Sequence, residues 1–258
     1  MKRARTVVAT ALLAVSLAAG TARAQDPTAP PPPPERRTVA QLPLNLARGA
    51  IGLFHVDNLR PLAIACSEAP AGFLMDRPVA VALSHPQNRF GQSFEIGAKP
   101  WVSGSLVAAV FVTGRFAGSP TFRAASYDWV HASLLTAGYT ELLKDSVRRL
   151  RPNGADSNSF PSGHASNAFA LAAVAERHWG WKAGLPAYGL AAAVALSRLQ
   201  RNAHYLSDVM AGATLGYLVG RTVVRVNGGP AGTAKSPRVA VSPVVGRRTR
   251  AVRVEVAF

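Results

Sequence analysis

Apolar positions in the middle of the chain recur at intervals of three and four residues, and strict alternation is rare before the C-terminal end. This spacing is typical of helices that bury one face. The longest predicted helix runs from about Thr121 to Leu150, with Trp129, Leu135 and Leu142 at helical intervals. Pro152 closes it, because the residue before a proline is pushed out of helical geometry.

Shorter helices are expected on both sides of this one. They are predicted near 59–67, 70–83 and 101–114, from Ala165 to His178, from Pro186 to Arg198 and from Tyr205 to Val224. Glycine and proline separate the earlier pieces, and Gly180–Lys182 breaks the later ones. We predict an all-α fold in which residues 41–227 form a single helical-bundle domain.

The N-terminal end has the features of a secretory leader. Three cations precede the uncharged run Thr6–Ala22, and Ala22-Arg23-Ala24 fits the small-x-small cleavage pattern. We predict a signal peptide at residues 1–24, and a retained membrane anchor is the alternative. Either one takes the domain across the cytoplasmic membrane, so a periplasmic location is expected.

Two further segments flank the predicted domain. Residues 25–40 include five consecutive prolines, Pro30–Pro34, and are expected to form a semi-rigid linker. Residues 228–258 form a basic tail, in which Val239–Val245 and Val252–Phe258 read as extended segments around a basic turn. We therefore expect a β-hairpin-like end to the chain.

The charge balance indicates anionic partners. The chain carries a net charge of +16, and the predicted signal peptide holds four cations and no acid. Phosphorylated substrates or an anionic membrane surface suit such a chain, whereas nucleic acid is not expected because the cations are scattered. The single cysteine, Cys66, excludes an internal disulfide and is expected to be a packed thiol.

Three uncharged apolar stretches are too short to cross a bilayer comfortably. They are Pro100–Gly114, Ala183–Ser197 and Val209–Gly220, each of 15 residues or fewer. A spanning helix needs about 20 mostly apolar residues. We predict buried core helices in a soluble or surface-attached domain, with an integral membrane protein as the alternative.

Candidate chemistry lies in three clusters between residues 144 and 208. In the first, Lys144, Arg148 and Arg151 fall at i, i+4 and i+7, so we predict that one helical face presents all three. In the second, Pro161-Ser162-Gly163-His164 opens a helix, where free amides favour an anion. Ser162 is either a simple N-cap or part of that anion site.

The third cluster pairs an imidazole with a carboxylate. His204 and Asp208 stand at i and i+4, so the carboxylate can accept a hydrogen bond from one ring nitrogen and leave the other as a free lone pair. Arg198 precedes them at the end of the preceding helix. This arrangement suits an activated nucleophile, and a structural His–Asp pair between helices is the alternative.

Together the clusters resemble the type 2 phosphatidic acid phosphatase superfamily. Its pattern K-x6-R-P, P-S-G-H and S-R-x5-H-x3-D is matched in order and spacing by Lys144–Pro152, by residues 161–164 and by Ser197–Asp208. The resemblance implies a metal-independent phosphatase on an all-helical core, acting on phosphate monoesters or pyrophosphates, without a cofactor.

The resemblance also implies a role for each matched residue. His204 would attack phosphorus and form a phosphohistidine, Asp208 would orient it, and His164 would act as acid and base. The phosphoryl oxygens would be bound by Lys144, Arg151, Ser162, Gly163 and Arg198. Arg148 and Arg149 lie outside the pattern and receive no role.

Several alternatives stay open at this point. Vanadium-dependent haloperoxidases are similar in the same residues, and a non-enzymatic protein that binds the envelope through its basic tail is also possible. The substrate is open as well: phosphatidic acid, undecaprenyl pyrophosphate, phosphatidylglycerol phosphate, lipid A and soluble phosphomonoesters all present the same group. His55, His85 and His131 lack ligand-spaced partners, and Asp57 and Asp76 are expected to pair with nearby arginines.

Overall fold

The computed structural model describes residues 36–84 and 100–230, with side chains from Val102 in the second range, and the backbone of two strands near the C-terminus. The predicted signal peptide, the proline run of the linker and His85 lie outside the described residues. So do the side chains of the basic tail.

The described residues form seven α-helices and two strands. The helices are α1 (Leu42–Gly52), α2 (Leu59–Leu83), α3 (Pro100–Phe116), α4 (Pro120–Val147), α5 (Gly163–Trp179), α6 (Trp181–Gln200) and α7 (Leu206–Val226). The strands β1 (Arg238–Val245) and β2 (Arg250–Ala257) pair antiparallel. The body is thus helical, in agreement with the predicted fold class.

Helix α5 lies at the centre, packed against α4, α6 and α7. Three glycines four residues apart allow α7 to approach the α5 backbone closely: a Cβ on Gly212, Gly216 or Gly220 would meet a backbone carbonyl oxygen of α5 or its N-cap. Those carbonyls, of Ser162, Ser166 and Ala170, advance in the same direction. The two helices therefore run parallel, and both begin at the same end of the bundle.

The apolar core surrounds these two helices. One cluster is formed by Ala132, Leu135, Ala170, Val174, Val219, Val223 and Val224, and a second by Ala165, Ala195, Leu199 and Val209. Small side chains predominate because the helix axes are close together. The core thus fixes where α5 and α7 begin.

Helix α2 is continuous, and the predicted break near residue 68 is wrong. The helix passes through Pro70 and Pro78 without interruption. Proline normally weakens a helix interior by removing a donor and crowding the previous turn. Here tertiary contacts override that preference, since Gly72 packs on Ser207 at the start of α7 and Asp76 accepts a hydrogen bond from the Ser207 amide.

Helix α4 ends three residues earlier than predicted. It stops at Val147, because Arg148 takes a left-handed backbone conformation with φ of 48°. Arg151 therefore lies in the loop beyond the helix. The prediction that Lys144, Arg148 and Arg151 share one helical face is wrong.

Burial differs from the prediction for the apolar stretch at 100–114, for part of the stretch 183–197 and for Cys66. On α6, Leu185 and Leu190 are exposed, although Ala191 and Ala195 are buried. On α3 the side chains of Leu106, Val112 and Phe116 are exposed, and so is the Cys66 thiol on α2. Val209–Gly220, by contrast, supplies much of the core around α7. Among the described helices, none is both long and apolar enough to cross a membrane.

The segment that precedes α1 is attached to the far end of the bundle. Arg37 donates two hydrogen bonds of 3.0 Å to the carboxylate of Asp128 and one of 2.6 Å to the carbonyl of Gly229. Asp128 also accepts from Asn227 and contacts Nε2 of His178 at 2.8 Å. Residues 36–40 thus contact the domain although the sequence assigns them to the linker.

Candidate active site

The three sequence clusters meet at one end of the bundle. Helix α4 ends there, α5 begins there after the loop 148–162, and α7 begins there after the loop 201–205. A hydrogen bond of 3.0 Å from the Ser162 amide to the Asp208 carbonyl joins the two helix starts. Because free amides and helix dipoles favour negative charge, this end of the protein is suited to an anion.

Ser162 occupies the N-cap position of α5, but its side chain forms no capping hydrogen bond. Its hydroxyl is buried and has no hydrogen-bond partner among the described residues. A buried hydroxyl normally finds a partner. The simple N-cap interpretation is therefore wrong, and the hydroxyl is available to a ligand.

Lys144 brings a positive charge to this helix start. Its ammonium nitrogen lies 3.8 Å from the point where a Cβ on Gly163 would stand, and it also pairs with Glu141 at 2.7 Å. Arg148 instead bonds the carbonyl of Asp145 on the exposed surface. At the end of α4, Lys144 therefore lies near the start of α5, whereas Arg148 lies on the exposed surface.

Two arginines complete the positive surroundings. Arg151 donates from Nε to Asp156 at 2.7 Å and from Nη1 to the carbonyl of Ala203 at 3.4 Å. Arg198 is buried near the end of α6, with 6% of its surface exposed. Both lie close enough to His204 for their charges to lower its pKa.

His204 is a buried imidazole with a defined tautomer. Its Nδ1 lies 2.6 Å from the carbonyl oxygen of Ser159, which can only accept, so Nδ1 carries the hydrogen. Burial, and then the charges of Arg151, His164 and Arg198, lower its pKa to about 3. The ring is therefore neutral near pH 7, and Nε2 has a free lone pair.

Asp208 does not bond His204 directly, which corrects the expected pairing. Its Oδ2 is 3.9 Å from Nδ1, beyond hydrogen-bond distance. The same oxygen accepts from the Ser159 hydroxyl at 2.5 Å and from the Tyr205 amide at 2.8 Å. Ser159 thus stands between carboxylate and imidazole, contacting one with its hydroxyl and the other with its carbonyl.

Sequence reasoning missed Ser159 and Arg149. Arg149 donates to Asp208 at 2.7 Å and to Asp76 at 2.6 Å. Asp76 is a charge partner as expected, but its arginine is distant in sequence. No local pattern signals these contacts, because they join the loop before α5 to α2 and α7. Asp57 likewise pairs with the distant Arg225, at 2.6 Å.

The remaining histidines lie elsewhere. His131 is fully buried among polar side chains near Asp128, and His55 is exposed beside Asp57. Within the described residues, no group of three or more histidine, cysteine or acidic side chains could hold a metal ion. His164 lies close enough to His204 for its charge to lower the pKa of the His204 imidazole.

Comparison with known proteins agrees with the geometry. Residues 128–229 match the PAP2 superfamily. The chain is 33% identical over 178 residues to the decaprenylphosphoryl-5-phosphoribose phosphatase of Mycobacterium tuberculosis, a match that covers 64% of the chain and 91% of that protein. The chain belongs to the PAP2 superfamily. A lipid A 1-phosphatase of Porphyromonas gingivalis is 39% identical over 89 residues, which are 33% of the chain and 20% of that longer protein.

Two solved structures are also similar. LpxE of Aquifex aeolicus has a TM-score of 0.49 at 20% identity and covers 59% of the chain and 94% of its own. A transmembrane PAP2 type phosphatidylglycerolphosphate phosphatase from Bacillus subtilis has the same TM-score and identity. That match covers 71% of the chain and 92% of the Bacillus protein.

Proposed function

We propose that the protein is a metal-independent phosphatase that passes a phosphoryl group from a phosphate monoester or pyrophosphate to His204 and then to water. One observation carries the proposal: His204 is buried and neutral, its Nδ1–H is held by a carbonyl, and its Nε2 lone pair is free. A nucleophile needs this state. His164, Arg151 and Arg198 lie close to the same ring.

In the first step Nε2 of His204 attacks phosphorus as the bond to the leaving oxygen breaks. His164, entering as the imidazolium, gives that oxygen a proton and releases an alcohol or a phosphate. In the second step water attacks the phosphohistidine, and neutral His164 takes a proton from the water. Inorganic phosphate leaves, and both imidazoles return to their starting states.

The phosphoryl oxygens are bound by Lys144, Arg151, Arg198, the Ser162 hydroxyl and the Gly163 amide. Charge spreads over three equatorial oxygens in the transition state of phosphoryl transfer, so fixed cations and amides around them stabilise it. The unpartnered Ser162 hydroxyl and the ammonium beside Gly163 support this assignment.

The negative charge of Asp208 offsets the positive charge that the His204 ring gains on phosphorylation. Burial raises the pKa of Asp208, and hydrogen bonds from Ser159, Tyr205 and Arg149 oppose that rise. We infer that Asp208 acts through Ser159 rather than by direct contact with His204, since the 3.9 Å separation is too long for a hydrogen bond.

The substrate class we propose is a lipid phosphate, such as phosphatidic acid or undecaprenyl pyrophosphate, handled at an anionic membrane surface outside the cytoplasm. Large apolar side chains stand exposed on α1, α2 and the turn between them: Ile51, Phe54, Val56, Leu59, Leu74 and Val81 are 57–82% exposed. Large apolar side chains exposed to this extent fit contact with lipid better than with water. The named activities of two relatives, on lipid A and on a decaprenyl phosphoribose, point the same way.

Phosphate release from purified protein tests the activity. We expect release that persists in EDTA, is blocked by vanadate and is lost in His204→Ala, with the exposed His55→Ala as a matched control. Rapid acid-free quenching of a 32P-labelled substrate should trap label on the chain in the wild type and not in His204→Ala. Full activity in His204→Ala would rule the mechanism out.

The leaving group tests the role of His164. An alkyl phosphate needs a proton on its leaving oxygen, whereas p-nitrophenolate leaves without one. We therefore expect His164→Ala to lose more activity on the alkyl ester, within the range of about 10²–10⁴ that an acid typically supplies. An equal loss on both substrates would contradict the assignment. Bromide oxidation in the presence of vanadate and peroxide, without phosphate release, would favour a haloperoxidase instead.

Liposomes and a substrate panel test the substrate class. We expect higher kcat/KM on phosphatidic acid or undecaprenyl pyrophosphate in anionic vesicles than on soluble esters. Replacing Phe54 and Leu74 by Ser should reduce vesicle binding without changing turnover of a soluble ester. A preference for the soluble ester would exclude the lipid assignment.

A further inference from the structure

Arg149 lies between two buried carboxylates that come from different helices. Its Nη2 donates to Asp76 on α2 at 2.6 Å, and its Nη1 donates to Asp208 on α7 at 2.7 Å. Both carboxylates are almost fully buried, with 4% and 0% of their surfaces exposed. A guanidinium suits this position because its donors are fixed in a planar fork and its charge is permanent.

Aromatic rings hold the guanidinium in place. Its carbon lies 4.1 Å from the centre of the Tyr205 ring and 5.4 Å from that of Phe73. Stacking of this kind restricts an arginine to one orientation. Arg149 is therefore fixed by two charges and two rings, one of each from α2 and from the start of α7.

These contacts continue to the imidazole of His204. The Asp208 oxygen that does not face Arg149 accepts from the Ser159 hydroxyl, and the Ser159 carbonyl accepts the Nδ1–H of His204. Asp76 also accepts from the amide and hydroxyl of Ser207, one residue before Asp208. Arg149 and Asp76 thus stabilise both the carboxylate of Asp208 and the first turn of α7, which carries it.

We propose that Arg149 and Asp76 are positioning residues, which keep Asp208 ionised and aimed at Ser159 so that the His204 ring stays in its reactive orientation. The proposal rests on the proposed function of His204. It assigns a task to α2, whose sequence carries no recognisable motif, and to an arginine outside the motif. Neither residue touches the reacting atoms, so neither is a catalytic residue.

A buried carboxylate without a compensating charge tends to take up a proton. Arg149 lowers the pKa of Asp208 both by its charge and by its hydrogen bond, against the burial that raises it. Without Arg149 we expect Asp208 to stay protonated to higher pH. A protonated Asp208 offsets less of the charge that forms on His204.

Kinetics of four variants test the proposal: Arg149→Gln, Arg149→Lys, Asp76→Asn and Arg77→Gln. Arg77 is the matched control, since it is exposed on α2 and lines the same cavity of about 490 Å3 as Arg149 and Asp76. We expect Arg149→Gln to lower kcat about tenfold or more. A loss of this size is typical when a residue that hydrogen-bonds a functional side chain is replaced. KM should stay within about twofold, because no phosphate contact is lost.

The pH profile separates positioning from mere stability. In Arg149→Gln the acidic limb of the kcat–pH profile should move to higher pH. Arg149→Lys keeps the positive charge, so its acidic limb and its kcat should lie closer to those of the wild type. Asp76→Asn should act in the same direction as Arg149→Gln but more weakly. Unfolding curves measured in parallel correct each rate for the folded fraction.

A titration of Asp208 gives a readout that does not need turnover. In protein labelled with 13C at the aspartate carboxyl, the Asp208 signal should titrate at higher pH in Arg149→Gln than in the wild type or in Arg77→Gln. If Arg149→Gln titrates and turns over like Arg77→Gln once the folded fraction is corrected, the positioning role is wrong. If wild-type protein releases no phosphate, the proposed function fails, and the Asp208 titration still decides whether Arg149 sets its charge.

Discussion

The carbonyl oxygen of Ser159 lies 2.6 Å from Nδ1 of His204, and the hydroxyl of the same residue lies 2.5 Å from Asp208. One serine in the loop before α5 therefore fixes the tautomer of the imidazole and orients the carboxylate. The i, i+4 spacing in the sequence predicted a direct hydrogen bond between His204 and Asp208. The structure replaces that contact with a bridge through a residue outside the motif.

Replacing Ser159 by alanine separates the two functions of this bridge. The carbonyl stays, so His204 keeps its tautomer, but Asp208 loses one hydrogen bond. A hydrogen bond to a charged group is worth about 1.5–3 kcal/mol, and we expect a loss of that size in the free energy of unfolding measured in urea. Activity should fall, with the loss growing at acidic pH as Asp208 takes up a proton more readily.

Ser157→Ala is the control for this change. Ser157 lies two residues earlier in the same loop and is exposed. We expect its stability and its pH profile to match those of the wild type. Equal stability of the Ser159 and Ser157 variants would mean that the bond to Asp208 contributes nothing.

Buried His131 should make stability depend on pH. Burial lowers its pKa to about 4, although the charge of Asp128 opposes the shift. Asn45 and Asn227 are its other polar neighbours. Because the unfolded chain takes up a proton near pH 6.5 and the folded one does not, this stability is present above pH 6.5 and is lost as the pH falls toward 4. Between pH 7 and pH 5 the loss should be about 2 kcal/mol.

Urea unfolding of His131→Gln at both pH values checks this. The variant should lose less stability than the wild type on going from pH 7 to pH 5, whatever its stability at pH 7. His204 contributes a similar dependence in both proteins, so the slope does not vanish. Exposed His55→Gln should keep the wild-type slope, and an unchanged slope in His131→Gln would contradict the pKa assigned to His131.

The sequence predicted most of the helices, although not α1, and it grouped the motif residues, because these signals are local. Glycine at 180, proline at 152 and the motif spacings each act within a few residues. The helix end at Val147 was missed because Arg148 adopts a left-handed conformation that glycine or asparagine usually takes. The continuity of α2 was missed because its contacts with α7 outweigh its prolines.

The support of the site could not be predicted for a different reason. Arg149 and Asp76 are 73 positions apart, and Arg149 and Asp208 are 59 apart. Such pairs depend on how α2 packs on α7, and one sequence contains no periodic signal for that. Arg149 next to Arg148 also resembles an ordinary solvated basic run. Physically, the motif contains the groups that we propose to react, and the tertiary packing supplies the groups that hold them.

Gly216 should tolerate no side chain. A Cβ there would overlap the carbonyl oxygen of Ser166 and approach the amide of Ala170 at 2.8 Å, so α7 would have to move away from α5. Overpacking a core costs about 1–3 kcal/mol, and we expect Gly216→Ala to lose at least that much. Because the same contact aligns the starts of α5 and α7, activity of the folded protein should fall as well.

Gly138→Ala is the opposite case and the control. Gly138 lies on an exposed face of α4, and a Cβ there would meet no atom within 4 Å. Alanine in a helix interior is favoured over glycine by about 1 kcal/mol. We expect Gly138→Ala to be more stable than the wild type by up to that amount, with unchanged activity. If both variants lost stability alike, close approach at Gly216 would not be the cause.

Arg37 should attach the segment before α1 to the domain. Its guanidinium neutralises Asp128, and removing one partner of a buried pair typically costs about 3–5 kcal/mol because the other charge is left uncompensated. We expect Arg37→Ala to approach that loss in urea unfolding, whereas Arg36→Ala, at the exposed neighbouring position, should stay within about 0.5 kcal/mol of the wild type.

Truncation before Arg36 should be tolerated and truncation after Arg37 should not, because only the second removes the ion pair. If both truncated proteins unfolded at the same urea concentration, Asp128 would be satisfied by Asn227 and His178 without Arg37.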